Sequence, residues 1–380
     1  MKILFVQAGL GAGGAEKVMS LLARHRLELG DEVHVAALNL PQTGIYHSLA
    51  EGVKVHTDPQ AGAAVSGVAV QTARLKAIRR AIVEVRPDVI ISFLTKVNTL
   101  TTLAAAGTGI PVILSERNNM TVQMRPFWRV AARLAMRRAS AIVLMTERAR
   151  KDVPKGLQHR VRVIPNACPP ISGITVEQRQ PAFRLVAVGR LDRQKGFDML
   201  LDAMPAVLAR VPGARLTIFG EGPLRQALEK QAAALGLGNA VSFAGNSRVP
   251  GAWLEAADIL VAPSRYEGFS NVVAEATVSG LPVVAFDCDL GKRELIRHGG
   301  NGFLVAPGDV AGLSAAVINL LQDDALRLRM AGAYMESRDR LHPSAILKSW
   351  DAIIDEASAG LHRPAAVKDR PRLRSADQGL

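Results

Sequence analysis

The sequence predicts an α/β protein made of two doubly wound domains that face a central cleft. Three observations carry this. Short β-branched runs, apolar on both faces, alternate with amphipathic helical stretches, the pattern of parallel strands covered by helices on each side. The alternation pauses once, at a proline-rich polar stretch, and then restarts with the same rhythm. A length of 380 residues is enough for two domains, each with its own core.

In chain order, KILFVQA (2–8), EVHVAAL (32–38), DVIISFL (88–94), PVILSE (111–116), AIVLMT (141–146) and VRVIP (161–165) read as strands. EKVMSLLARHRLEL (16–29) and ARLKAIRRAIVEV (73–85) supply helical patterns between them. NACPPISGITVEQRQPAF (166–183) lacks any period. Beyond it, FRLVAVG (183–189), ARLTIFG (214–220), AVSFAG (240–245), DILVAPS (258–264), PVVAF (282–286) and GFLVAP (302–307) form the second set. The expected division is a Rossmann-like domain over 1–165, a linker over 166–182 and a second Rossmann-like domain over 183–340. A closing helical segment over 341–360 contains AILKSWDAIIDEAS, and a basic tail over 361–380 has no periodic core and reads as disordered. No short repeat relates the halves, so they share architecture only. Facing domains of this kind put the C-terminal ends of both sheets around one crevice, where open α/β sheets bind ligands.

Composition narrows the function classes. Hydrophobic residues at 48% and charged residues at 21% describe a globular chain. Two distant cysteines, Cys168 and Cys288, make neither a disulfide framework nor a metal cluster and suit a reducing, cytoplasmic compartment. No run of 18 apolar residues suggests a membrane span. The opening MKILFVQAGLGAGGAEK reads as a strand and its turn, not a signal peptide, because the apolar run breaks early into glycines. A formal charge of +13 favours anionic partners, but aromatics at 4% leave little for stacking on bases, so no nucleic acid is expected.

Four motifs fall at strand ends. GLGAGGAEK (9–17) opens a helix directly after the first strand, and Gly13 and Gly14 let backbone approach a ligand. It matches a dinucleotide fingerprint only loosely, since Asn39 stands where a ribose-binding acid is usual. VGRLDRQKGF (188–197) carries Gly189, Arg190 and Lys195, two cations converging where a diphosphate can be neutralised. In FGEGPLRQALE (219–229), turn chemistry accounts for Gly220, Glu221 and Gly222 as readily as ligand contact does. SRYEGFSNVVAEATVSGLPVVA (264–285) holds Glu267 and Glu275. Ser270 suits an N-cap for a helix over 271–279, which Gly280 and Pro282 stop. That helix separates the glutamates: Glu267 precedes its start and Glu275 lies more than a turn inside. The amides of Gly268, Phe269, Ser270 and Asn271 then point at the cleft. Such geometry grips a ligand from two ends and does not suit two acids sharing one proton.

The E-x7-E spacing from Glu267 to Glu275, the GR-x4-KG loop and the N-terminal GGAE together resemble the family 4 glycosyltransferases of GT-B fold, over nearly the whole chain to about residue 358. GGAEKVMSLLA, DVIISFLTKVN and LSERN are similar to the branch that builds bacterial surface glycans on polyprenyl-diphosphate lipids. The resemblance implies a retaining hexosyltransferase with no cofactor and no metal, whose donor is a nucleotide diphosphate sugar, UDP-linked. It implies that Arg190 and Lys195 hold the diphosphate and stabilise the leaving group. Glu275 would take the ribose, and Glu267 with the amides of Gly268 to Asn271 the transferred sugar. Gly13 and Gly14 would approach the phosphates, and Gly189 and Glu221 join the donor-binding set. The donor phosphate itself would deprotonate the acceptor, so phosphate stabilisation matters more than a protein base. Many relatives carry a histidine after the LSE strand; here SERNNM places Arg117 and Asn118 there, which leaves the donor sugar open. Asp287-Cys288-Asp289 has the D-x-D spacing of metal-dependent transferases of another fold, but its place after a nucleotide-domain strand argues against a metal.

RPFWRVAARLAMRRA (125–139) mixes Phe127, Trp128, Val130, Leu134 and Met136 with Arg125, Arg129, Arg133, Arg137 and Arg138. Arg129, Arg133 and Arg137 fall on one helix stripe, able to hold an acceptor diphosphate or to lie on an anionic membrane surface. Arg74, Lys76, Arg79 and Arg80 offer a second basic helix face. The partners expected are therefore a nucleotide sugar, a polyprenyl-diphosphate-linked glycan and the inner face of the cell membrane, where the protein would sit peripherally. The rival readings are a non-hydrolysing nucleotide-sugar epimerase, which shares the two-domain layout, and a non-enzymatic basic protein that binds anionic lipid or nucleic acid.

Overall fold

A computed structural model describes residues 1–11, 13–40, 44–58, 67–169, 183–247, 251–288 and 290–359. Most of the expected linker and the expected tail lie outside these residues.

The first unit is a seven-stranded sheet in the order β3-β2-β1-β4-β5-β6-β7. Its strands are β1 (Lys2–Gln7), β2 (Glu32–Ala37), β3 (Lys54–Thr57), β4 (Val89–Phe93), β5 (Val112–Glu116), β6 (Ala141–Leu144) and β7 (Val161–Val163). Every pairing is parallel, for example Ile3↔Val33 and Ile3↔Val89 on either side of β1. The central strands are buried along almost their full length, which is why they read as unbroken apolar runs. β3 escapes such a reading. It is an edge strand of sequence KVHT, mostly exposed, and carries no apolar run. Helices α1 (Gly14–Glu28), α2 (Val68–Val85), α3 (Thr95–Ala104) and α4 (Pro126–Met136) connect the strands.

The second unit is a six-stranded parallel sheet in the order β10-β9-β8-β11-β12-β13. It consists of β8 (Arg184–Val188), β9 (Arg215–Phe219), β10 (Val241–Gly245), β11 (Ile259–Ala262), β12 (Val283–Phe286) and β13 (Gly302–Val305). Its helices are α5 (Phe197–Arg210), α6 (Arg225–Ala234), α7 (Asn271–Val278), α8 (Lys292–Leu295), α9 (Val310–Gln322), α10 (Asp324–Ala331) and α11 (Tyr334–Leu341). In both sheets the strand order reverses beside the first strand, between β1 and β4 and between β8 and β11. A crevice opens outside the carboxyl ends of the strands at such a switch point. The loops that leave β1, β8, β9 and β11 carry the four motifs.

The last helix, α12 (Pro343–Ala359), does not stay with the second unit. Ile346, Trp350, Ile353 and Ile354 belong to the core that covers one face of the first sheet, together with Ile3, Phe5 and Phe93. Arg26, almost wholly buried, donates to Asp31 at 2.6 Å and to Asp351 of this helix at 2.9 Å. His25 adds a 2.8 Å contact to Asp351.

Candidate active site

The Glu267 loop begins where β11 ends. Gly196, at φ 69°, closes the loop from β8 against it, and a Cβ there would lie 2.2 Å from the Pro263 carbonyl oxygen. This close backbone approach sets the Lys195 side chain beside the loop that follows. Glu267 is buried, and its Oε1 accepts from Lys195 Nζ at 2.7 Å and from Ser264 Oγ at 2.9 Å. Gln194 Nε2 approaches Oε2 at 3.4 Å. Glu267 is therefore a buried carboxylate with one oxygen loaded by a cation and a hydroxyl.

Helix α7 starts immediately after. Ser270 occupies its N-cap position, but its side chain makes no capping hydrogen bond, which corrects the expected capping role. Phe269 packs into the hydrophobic core beneath the sheet, so only its backbone can serve the cleft. Glu275 sits on the second turn, with Lys17 Nζ of α1 at 3.5 Å from its Oε1. Burial pushes the Glu275 carboxyl above its usual range, while Lys17 and the Trp253 indole pull it back. The separation of the two glutamates follows from the helix start at Asn271.

Arg190 and Lys195 do not converge. Lys195 turns inward to Glu267, while the Arg190 guanidinium stays 71% exposed and pairs with Asp192 at 2.6 Å. A five-residue step across a turn explains this. Asp192 caps the short helical turn over Arg193–Lys195 by accepting from the Lys195 amide, and it holds Arg190 from the same carboxylate. Gly189 and Gly220 lie back to back. Gly220 has φ 137°, and a Cβ there would meet the Gly189 carbonyl oxygen at 1.9 Å. The Leu191 amide donates to the Glu221 carbonyl at 2.9 Å, and the Glu221 carboxylate pairs with Arg225 on the surface.

The first unit meets this assembly directly. A Cβ on Gly14 would lie 2.6 Å from the Asn271 side-chain nitrogen Nδ2, and one on Gly268 would lie 2.9 Å from the Arg117 carbonyl oxygen. The side of Gly13 that a side chain would fill is taken by Glu16, folded back over the start of α1. Here both N-terminal glycines admit protein atoms. Asn166 Nδ2 donates to Asn271 Oδ1 at 2.7 Å, and Arg117 donates in turn to Asn166 Oδ1. Arg117 is buried, and among the described residues no carboxylate pairs with it. Its Nε donates to Ser115 Oγ at 2.8 Å, and its guanidinium lies 5.9 Å and 5.7 Å from the Phe93 and Trp350 ring centroids. Desolvation pushes its pKa down to about 9.

Helix α4 shows a different face from the one its arginines suggest. Ala132, Ala135 and Met136 are buried, whereas Phe127, Val130 and Leu134 are 73%, 58% and 55% exposed. The outward stripe is therefore apolar. Arg125 at the N-cap and exposed Arg133 flank it, half-buried Arg129 lies nearer the sheet, and half-buried Trp128 carries Lys96 5.6 Å above its ring. No helix among the described residues is long and apolar enough to cross a membrane. Asp287 of the D-x-D segment pairs with Arg293, and Asp289 lies outside the described residues. Among the described residues, no group of three or more His, Cys, Asp or Glu side chains is placed to hold a metal ion.

Two family profiles match in succession, one described as Glycosyltransferase Family 4 over residues 12–170 and one as Glycosyl transferases group 1 over residues 182–323. The chain belongs to the family 4 glycosyltransferases. A Campylobacter jejuni relative, named as an alpha-1,4-N-acetyl-D-galactosaminyltransferase acting on a diNAcBac-PP-undecaprenol-linked glycan, is 27% identical over 94% of this chain and 99% of its own. An exopolysaccharide phosphotransferase of Streptomyces coelicolor is 32% identical over 60% of this chain, a match that spans only 25% of that longer protein. The Anabaena HepE structure in complex with UDP superposes with a TM-score of 0.75 at 21% identity, covering 94% of this chain and 100% of that one. The likeness places this glycosyltransferase in the GT-B fold.

The candidate site also contains residues to which the motifs gave no role. Lys17 and Asn166 are polar residues inside a helix pattern and a linker, with nothing in the sequence to pair them with α7. Arg117 was visible only as the residue standing where relatives carry histidine. Lys292 lies in the charged stretch GKREL, outside the motifs, yet it is fully buried. Its neighbour Gly291 explains this: a Cβ there would meet the Gly268 carbonyl oxygen at 3.0 Å, so the turn packs directly against the Glu267 loop.

Proposed function

We propose that this glycosyltransferase retains anomeric configuration and works without a metal or cofactor. It moves a sugar from a UDP-linked donor to a polyprenyl-diphosphate-linked glycan in bacterial surface glycan assembly. The single observation that carries the reading is the Glu267–Lys195 pair. It is buried at the mouth of the β8/β11 switch point and directly before the N-terminus of α7. In this reading the second unit, 183–340, holds the donor and the first unit, 1–165, receives the acceptor. The helix-start amides from Gly268 to Asn271 favour negative charge. Arg190, exposed and paired with Asp192, swings from that carboxylate onto the departing diphosphate. Lys195 divides its charge between Glu267 and the phosphate, Glu275 accepts the ribose hydroxyls, and Glu267 offers its less loaded oxygen to the sugar. Gly189 and Glu221 border the donor, and Gly13 and Gly14 close over it.

The apolar stripe of α4, rimmed by Arg125, Arg133 and Arg137, would rest on the anionic inner leaflet and bring the lipid diphosphate to the cleft. The relative from Campylobacter jejuni supports a lipid-linked acceptor, and the HepE complex supports a uridine donor.

The test is to incubate the purified protein with a panel of nucleotide sugars and membrane extract, in EDTA, and to identify products by mass spectrometry. A glycosylated polyprenyl diphosphate with retained configuration is expected. Isomerised nucleotide sugar formed without acceptor, or turnover abolished by EDTA, would overturn the reading.

A further inference from the structure

Lys292 is a fully buried lysine outside every motif, and the proposed chemistry makes no use of it. Burying an ammonium is unfavourable unless its hydrogens find acceptors. Here Nζ donates to the Ala262 carbonyl at 2.6 Å and lies 3.5 Å from the Ser264 carbonyl, with the Cys288 sulfur as a third neighbour. Those carbonyls belong to the end of β11 and the first turn of the Glu267 loop. Ser264 faces both ways: its carbonyl meets Lys292, and its hydroxyl donates to Glu267 Oε1 at 2.9 Å. A second route runs through the backbone, where Gly291 abuts Gly268 and Phe269. Glu267 and Lys195 also act on Lys292 electrostatically, the first stabilising its charge and the second opposing it. Two ammonium groups thus bracket one carboxylate, Lys195 by direct contact and Lys292 from behind.

We propose that Lys292 is a positioning residue for the transferred sugar, holding Ser264 and through it the Glu267 carboxylate in the geometry that the sugar meets. The inference rests on the reading that Glu267 faces that sugar. It predicts that loss of the ammonium disturbs recognition of the sugar while leaving the nucleotide's own contacts intact.

The experiment compares UDP with the UDP-sugar that the parent protein turns over, using full-length Lys292→Met and Lys292→Gln variants. Methionine keeps the volume without hydrogen bonds, and glutamine, which keeps an uncharged N–H donor group, serves if methionine prevents folding. UDP affinity is expected to stay within about twofold of the parent, while the gain in affinity from adding the sugar shrinks and kcat falls at least tenfold. Lys292→Gln is expected to fall between the parent and Lys292→Met. If UDP affinity falls as far as UDP-sugar affinity, Lys292 is only part of the domain's core and the proposal is overturned. Unchanged sugar discrimination and kcat would overturn it equally. A parallel Glu267→Gln variant separates the two levels. If it leaves sugar discrimination intact, the reading of Glu267 fails; if it alone removes discrimination, only the role of Lys292 fails.

Discussion

Lys17, on the first helix of the first unit, reaches across to Glu275 on α7 of the second unit, with 3.5 Å between nitrogen and carboxylate oxygen. The contact joins the two units through a residue expected to bind ribose. Lys17→Met should therefore weaken UDP binding although Lys17 itself is not placed on the nucleotide. Because the lysine is partly exposed, a double-mutant cycle with Glu275→Gln should show a coupling of about 0.5–1 kcal/mol. Additive effects in isothermal titration would disprove the link.

The same pair sets a pH dependence. Burial raises the Glu275 carboxyl and Lys17 lowers it again, so removing the ammonium must raise it further. A carboxylate accepts ribose hydroxyls best when ionised. The acid limb of UDP binding should accordingly move to higher pH in Lys17→Met, read from dissociation constants measured between pH 4 and 8.

Glu275→Gln should lose UDP affinity without losing stability. Below the ordinary carboxylate range both folded and unfolded chains hold the proton at this position. Above the raised folded value, the native state carries a charge that burial disfavours, so stability declines as pH rises through that window. Glutamine removes the charge. Its melting temperature at pH 7 is expected to equal or exceed that of the parent, and a clear drop would count against this account.

Arg190 and Lys195 should separate on mutation. Arg190→Ala removes an exposed side chain, so transfer slows while the melting temperature holds. Lys195→Ala leaves Glu267 buried without its cation, and it should cost about 3 kcal/mol of stability as well as activity. Adding Glu267→Gln to Lys195→Ala should restore part of that stability but none of the transfer. Urea melts of the three variants decide the point.

A Phe127→Ser, Val130→Ser, Leu134→Ser variant should stay folded, since these exposed side chains project away from the buried face of α4. It should lose co-sedimentation with vesicles containing anionic lipid, and it should lose transfer to a lipid acceptor more than hydrolysis of donor. Unchanged sedimentation would exclude α4 as the membrane face.

The central strands of both units were legible because burial on both faces demands continuous apolar runs; β3 was not, because a mostly exposed edge strand needs no such run. The glutamate spacing was legible because a helix start fixes it locally. The partners of those glutamates were not. Lys195 lies 72 residues from Glu267 and Lys17 lies 258 from Glu275, and no local pattern encodes such distances. The expected convergence of Arg190 and Lys195 failed for a local reason: Asp192 between them caps a turn and holds the arginine outward. In α4 the arginine period drew attention to the charged stripe, while small residues at Ala132 and Ala135 were what the core required.

The crossing of α12 onto the first sheet reverses the order of synthesis. The N-terminal unit leaves the ribosome first, but its core lacks Ile346, Trp350, Ile353 and Ile354 until the second unit has also been made. The face beneath α12, with Phe93 waiting for the Trp350 ring 6.3 Å away, stays open to solvent while the second unit folds. The domain made first is the last to be finished. A chain ending at residue 340 would keep every motif and still expose that face, so it should bind UDP poorly and aggregate.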